Sequence, residues 1–205
     1  MAGLLANFRN TVILSVVLAL VMLVAYSQSP QGTDAAFWQA VLRWLHTFFG
    51  ILWIGLLYYF NFVQIRKMPE IPAELKPAVS KYIAPEALFW FRWGAAATVL
   101  FGLLVAYSRG ANYAHEALTF GLFGGLAPTD KGFTLLGVGM WLAIIMFLNV
   151  WVFIWPNQKI ALGIVDGDAD AKAKAGRTAM LFSRTNMLLS IPMLTSMTMT
   201  QTLFG

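Results

Sequence analysis

The sequence contains no cysteine. Without thiols the chain forms no disulfide, no thiolate metal site, no iron–sulfur cluster and no C-x-x-C-H attachment for a covalent c-type haem. Charge is scarce as well: 11% of the 205 residues are Asp, Glu, Lys or Arg, against roughly 25% in soluble domains. Histidine occurs twice, and the formal net charge is +5. The cations sit in short segments between apolar runs and form no stripe on a polar domain, so nucleic acid is not the expected partner.

What is present is apolar: 59% of the residues are hydrophobic and the mean hydropathy is +0.69. A water-soluble core of this size cannot absorb that much apolar surface, so the lipid bilayer is the expected solvent. Each spanning helix takes about 20 apolar residues, and only helices or closed barrels satisfy their backbone polar groups in lipid. The expected fold is all-α, a single integral membrane bundle over residues 1–205 with about five transmembrane helices. Their expected spans are 11–26, 36–63, 86–107, 132–155 and 181–204.

The first run, Thr11 to Tyr26, follows a lone Arg9 and has the look of a signal peptide or a first helix; we read it as a helix. Pro30 and Gly32 follow it, Pro85 marks the start of the third helix, and Pro192 after Ser190 frees a carbonyl in the fifth and predicts a bend. Between the third and fourth lies a loop from Ser108 to Lys131 with Tyr113, Phe120, Phe123, Gly124 and Gly125, compatible with a short re-entrant or interfacial piece. Arg9, Arg66, Lys67, Lys76, Lys81, Lys159, Lys172, Lys174 and Arg177 fall on one side and only Arg109 and Lys131 on the other. The positive-inside rule then sets the N-terminus inside, the C-terminus outside, and the chain in the inner (cytoplasmic) membrane as a multi-pass protein.

Polar groups in spanning helices are costly and mark candidate sites. With this topology Asn61, Gln64, Glu86, Arg92, Asn149, Asn157, Gln158, Arg184, Asn186 and Ser190 all approach the cytoplasmic level, on four helices. Guanidinium forks and amide donor–acceptor pairs suit a planar, polar or anionic small molecule, and Trp90, Phe91, Trp93 and Trp151 offer stacking faces. The same residues also serve as helix caps, snorkelling groups or interhelical glue. No catalytic residue is assigned by these patterns. Near the other side, His46 follows Arg43 by three residues on one helix face. Its imidazole is a candidate ligand for a b-type haem iron, with interhelical hydrogen bonding as the alternative. A second histidine on a facing helix is lacking, since His115 falls in the outer loop; Met193, Met197 and Met199 offer thioethers.

Four stretches carry a resemblance: WLHTFFGILWIGLLYYFNFVQ (Trp44–Gln64), FWFRWGA (Phe89–Ala95), NVWVFIWPNQK (Asn149–Lys159) and SRTNMLLSIPM (Ser183–Met193). They resemble the membrane domain of the membrane-anchored urate oxidase, or urate hydroxylase, family. The resemblance implies a membrane-bound oxidoreductase of purine degradation that passes electrons to a cytochrome instead of making peroxide. In longer relatives a cytochrome c domain follows the membrane part. This sequence stops at Gly205 without a cysteine, so the expected electron acceptor is a separate cytochrome. If the family's chemistry applies, Arg92 or Arg184 with Asn61, Asn157, Gln158 and Asn186 form the pocket for urate. The competing reading is a non-catalytic accessory subunit of a larger membrane complex.

Overall fold

In the computed structural model, residues 2–28, 32–122 and 131–204 are described. Pro30, Phe123, Gly124 and Gly125 lie outside them. No strand occurs among the described residues, which are almost entirely helical. After a single turn at Ala2–Leu5 come helices α1 (Phe8–Ser27), α2 (Ala35–Glu70), α3 (Lys76–Ser108), α4 (Ala111–Leu118), α5 (Lys131–Ala161) and α6 (Ala169–Leu203). Short polar side chains start several of them. Asn7 accepts from the Asn10 N–H at 3.2 Å, Asp34 from Phe37 at 2.8 Å and Asp168 from Ala171 at 2.7 Å, each satisfying a donor that a helix N-terminus leaves free.

Helices α1, α2, α3 and α5 are long and apolar enough to cross a membrane. The helices run past the apolar stretches into charged residues such as Arg66 and Lys67, because apolarity tracks lipid while the backbone ladder continues in water. The chain divides, within α2, into a unit of residues 1–41 and a unit of residues 42–205. In the first, α1 buries none of its side chains, and Tyr26 stacks on Phe37 at 5.9 Å.

In the second unit, the core joins Trp53 and Leu57 of α2, Phe91 of α3, Met146 and Val150 of α5 and Met193 of α6. Helix α6 is the least apolar of the long helices, and the reason is visible in its packing. Its buried side chains include Ser183, Asn186, Ser190, Met193, Ser196 and Thr200, at helical spacings of three and four that keep them on one inward stripe. On the outer face Thr185, Thr195 and Thr198 return their hydroxyls to carbonyls one turn back. At 35 residues the helix is about 50 Å long, and it continues through Pro192.

Among the described residues three turns are π-helical: Tyr59–Gln64 in α2, Val79–Ile83 in α3 and Asn149–Ile154 in α5. Pro85 and Pro156 follow the latter two. A proline lacks the N–H and crowds the carbonyl four residues back, which favours a wider turn there. In the first, the Asn61 side-chain amide donates at 2.9 Å to the Leu57 carbonyl, which the Asn61 backbone N–H takes in an α-turn.

Part of the segment expected as a loop is α4, an amphipathic helix. It is fixed to α5 by its own carbonyls: Trp141 Nε1 donates to Leu118 at 2.9 Å and the Thr134 hydroxyl to Phe120 at 2.9 Å. Phe120 has φ +58°, a left-handed conformation uncommon for a bulky residue. The Ala117 carbonyl rests directly against Gly137, where any Cβ would overlap it.

Candidate functional site

The amides expected to line a pocket are largely used up between helices. Asn186 is fully buried; its Nδ2 donates to the Met146 carbonyl at 2.9 Å and its Oδ1 accepts from Asn149 Nδ2 at 2.8 Å. Asn61 donates a second bond to the Ser183 hydroxyl at 3.0 Å, and the Ser190 hydroxyl approaches Tyr58 Oη at 3.3 Å. This ladder ties α6 to α2 and α5. Asn157 donates to the Phe153 carbonyl of its own helix at 2.8 Å, and Gln158 is half-buried in the same turn.

The two arginines of the expected pocket part company. Arg184 is exposed. Arg92 is half-buried, its guanidinium 3.8 Å from the centre of the Trp155 ring and 5.3 Å from that of Phe89. One of its terminal nitrogens is buried without a hydrogen-bond partner. Glu86 accepts from Trp90 Nε1 at 2.8 Å. Trp93 and Trp151 meet edge to face at 5.4 Å.

A cavity of the second unit lies elsewhere, around His46. It is lined by α2, α3, α4, α5 and α6, with Leu103, Leu136, Met140, Ile144 and Met197 among its apolar walls. Of the three methionines singled out in the last helix, Met197 lines it, Met193 belongs to the main core and Met199 is exposed. His46 Nδ1 lies 2.8 Å from the Thr98 carbonyl. A carbonyl only accepts, so Nδ1 carries the proton and Nε2 keeps its lone pair. The approach depends on Gly102, one turn beyond Thr98 on α3. A Cβ there would stand 2.8 Å from His46 Cε1 and 2.9 Å from Nδ1, so only glycine lets the imidazole reach the helix backbone.

Three features of this lining are ones that a b-type haem would use, within a cavity of about 100 Å³. A ligating histidine ordinarily gives its other N–H to a carbonyl or carboxylate, which is the state of His46. The walls are apolar, and Met140 and Met197 add thioethers. Arg43 and Arg109 also line the cavity. His115 does not line it; its ring meets Tyr107 edge-on at 6.0 Å. Among the described residues no three His, Asp or Glu side chains gather into a metal site. Thr98, Gly102, Arg109, Tyr113 and Met140 were not marked by sequence patterns. A threonine and a glycine four apart in an apolar helix signal nothing until the facing helix is known to carry a histidine.

No protein-family profile, curated protein or solved structure matches the chain.

Proposed function

We propose that the chain is the membrane part of an oxidoreductase resembling urate hydroxylase, with five crossings of the cytoplasmic membrane and a separate cytochrome as electron acceptor. The observation that carries this reading is the geometry of His46: its Nδ1 lies 2.8 Å from the Thr98 carbonyl and the residue lines a cavity with largely apolar walls. His46 would hold a b-type haem there, which would supply one-electron transfer. The chain's own contribution is to fix the imidazole, supply an apolar pocket and offer thioethers. The fifth crossing is α6, since its polar stripe faces the bundle and leaves Leu188, Ile191 and Leu203 for lipid. The distribution of Lys and Arg orients the N-terminus inward and the C-terminus outward.

Urate, planar and anionic, would engage Arg92, whose guanidinium is positioned by stacking on Trp155 and Phe89 and whose buried terminal nitrogen has no hydrogen-bond partner. Asn61 and Asn186 contribute by holding the helices in place, because their amides already have partners.

A second reading, a non-catalytic accessory subunit, draws support from that same ladder: amides committed to interhelical bonds are packing groups. A reduced-minus-oxidised visible spectrum of the purified chain, repeated with urate as the sole reductant, separates the two. A haem band that urate reduces supports the oxidoreductase. Folded protein without a band, and a fixed stoichiometry with partner subunits, supports the accessory role.

A further inference from the structure

Among the described residues, the polar groups lining the cavity beside His46 are Arg43, His46, Thr98, Arg109, Tyr113 and Gln201, with no Asp or Glu to balance the two arginines. The Thr98 hydroxyl is taken by the Gly94 carbonyl at 2.7 Å and His46 by the Thr98 carbonyl. Arg109 donates to the Tyr113 hydroxyl at 2.9 Å, with its guanidinium 5.1 Å from the centre of that ring. Arg43 is half-buried, and its Nε is buried without a hydrogen-bond partner. A buried guanidinium nitrogen is costly unless an anion or a polar partner meets it.

Helices α2 and α3 run antiparallel here, which brings the start of one and the end of the other, and so Arg43 and Arg109, to the same end of the cavity. Beyond them the walls turn apolar along Leu103, Leu136, Met140 and Met197. We propose that this cavity binds an amphiphile, its anionic oxygen head held by Arg43 and Arg109 and its apolar body lying along the α3, α5 and α6 walls. Planar guanidinium forks match carboxylate and phosphate oxygens alike. The head is therefore either a carboxylate of a planar cofactor or the phosphate of an anionic lipid. This inference does not depend on the redox reading, since a lipid occupant needs no ligation by His46.

The test uses the full chain in a non-ionic detergent and pairs each anionic probe with a counterpart lacking the net charge. Haem b is compared with haem dimethyl ester by absorbance titration, and phosphatidylglycerol with phosphatidylcholine by native mass spectrometry. The expected result is a preference of about tenfold, equivalent to one strong charge-assisted contact, for the anionic member of one pair. That preference is lost in Arg43→Gln and weakened but kept in Arg43→Lys. A preference in the haem pair identifies a carboxylate head, and one in the lipid pair a phosphate head. Arg109→Gln, at an exposed position, applies the same test if the Arg43 variants fail to fold. No preference in either pair, or preferences unchanged in the folded variants, overturns the proposal.

Discussion

Asn149 and Asn186 form a buried side-chain pair, amide to carbonyl oxygen at 2.8 Å, that joins α5 to α6. Asn186 simultaneously holds the Met146 carbonyl, so Asn186→Leu leaves a buried amide on Asn149 with no acceptor. The expected loss is about 1–3 kcal/mol, read by reversible unfolding in mixed micelles. Ser183→Ala removes one acceptor from Asn61 and is expected to cost only about 0.6 kcal/mol. Equal effects from the two variants would contradict the ladder.

Gly137 carries the contact between α4 and α5. A Cβ at this position meets the Ala117 carbonyl, a backbone atom that moves only if α4 moves. Gly137→Ala should therefore lift α4 from α5 and cost about 1–3 kcal/mol through overpacking. Limited proteolysis around residues 109–122 should quicken in the variant, and an unchanged cleavage rate would count against the docking.

Gly102 and His46 act as one unit. In Gly102→Ala the new methyl displaces the imidazole from the Thr98 carbonyl. The haem-binding reading then expects Gly102→Ala to lose most of the haem absorbance per folded protein, as His46→Ala does. Ala111, exposed in α4, supplies the control: Ala111→Ser should leave the absorbance intact.

Arg92 and Arg184 should separate cleanly. Arg92→Gln loses the stacking on Trp155 and Phe89, worth about 0.5–2 kcal/mol, and should abolish urate-dependent reduction. Arg184→Gln, at an exposed position, should change stability by less than about 0.5 kcal/mol and leave that reduction nearly intact. Tryptophan fluorescence and the urate titration read both effects, and equal impairment would return Arg184 to the pocket.

The cysteine-free sequence makes topology directly measurable. Single substitutions Gly3→Cys and Thr202→Cys place one thiol near each end. A membrane-impermeant maleimide applied to intact cells should label the second and spare the first; the reverse pattern would invert the orientation.

Hydropathy made the apolar helices legible, because membrane crossing depends on composition over about 20 residues and not on partners. The candidate site was less so. Arg184 and Asn186 share a level in the sequence, yet two residues on a helix lie about 200° apart around its axis. One consequently faces Asn149 while the other is exposed. Asn61 and Asn186 were marked as pocket residues, but their roles as donors between helices depend on which helices touch. The cavity near His46 escaped for the same reason: Gly102 gains meaning only opposite an imidazole.

The π-helical turns at Tyr59–Gln64, Val79–Ile83 and Asn149–Ile154 make the chain unevenly tolerant of length change. Removing one residue elsewhere in α2 or α5 rotates everything beyond it by about 100° and turns core side chains outward. Within a π turn the same deletion heals into an ordinary α-turn and leaves the flanking faces in phase. These three turns are therefore where a shorter homologue can lose a residue and keep its bundle, at the cost of the side-chain amide of Asn61 or Asn149 that the widened turn displays.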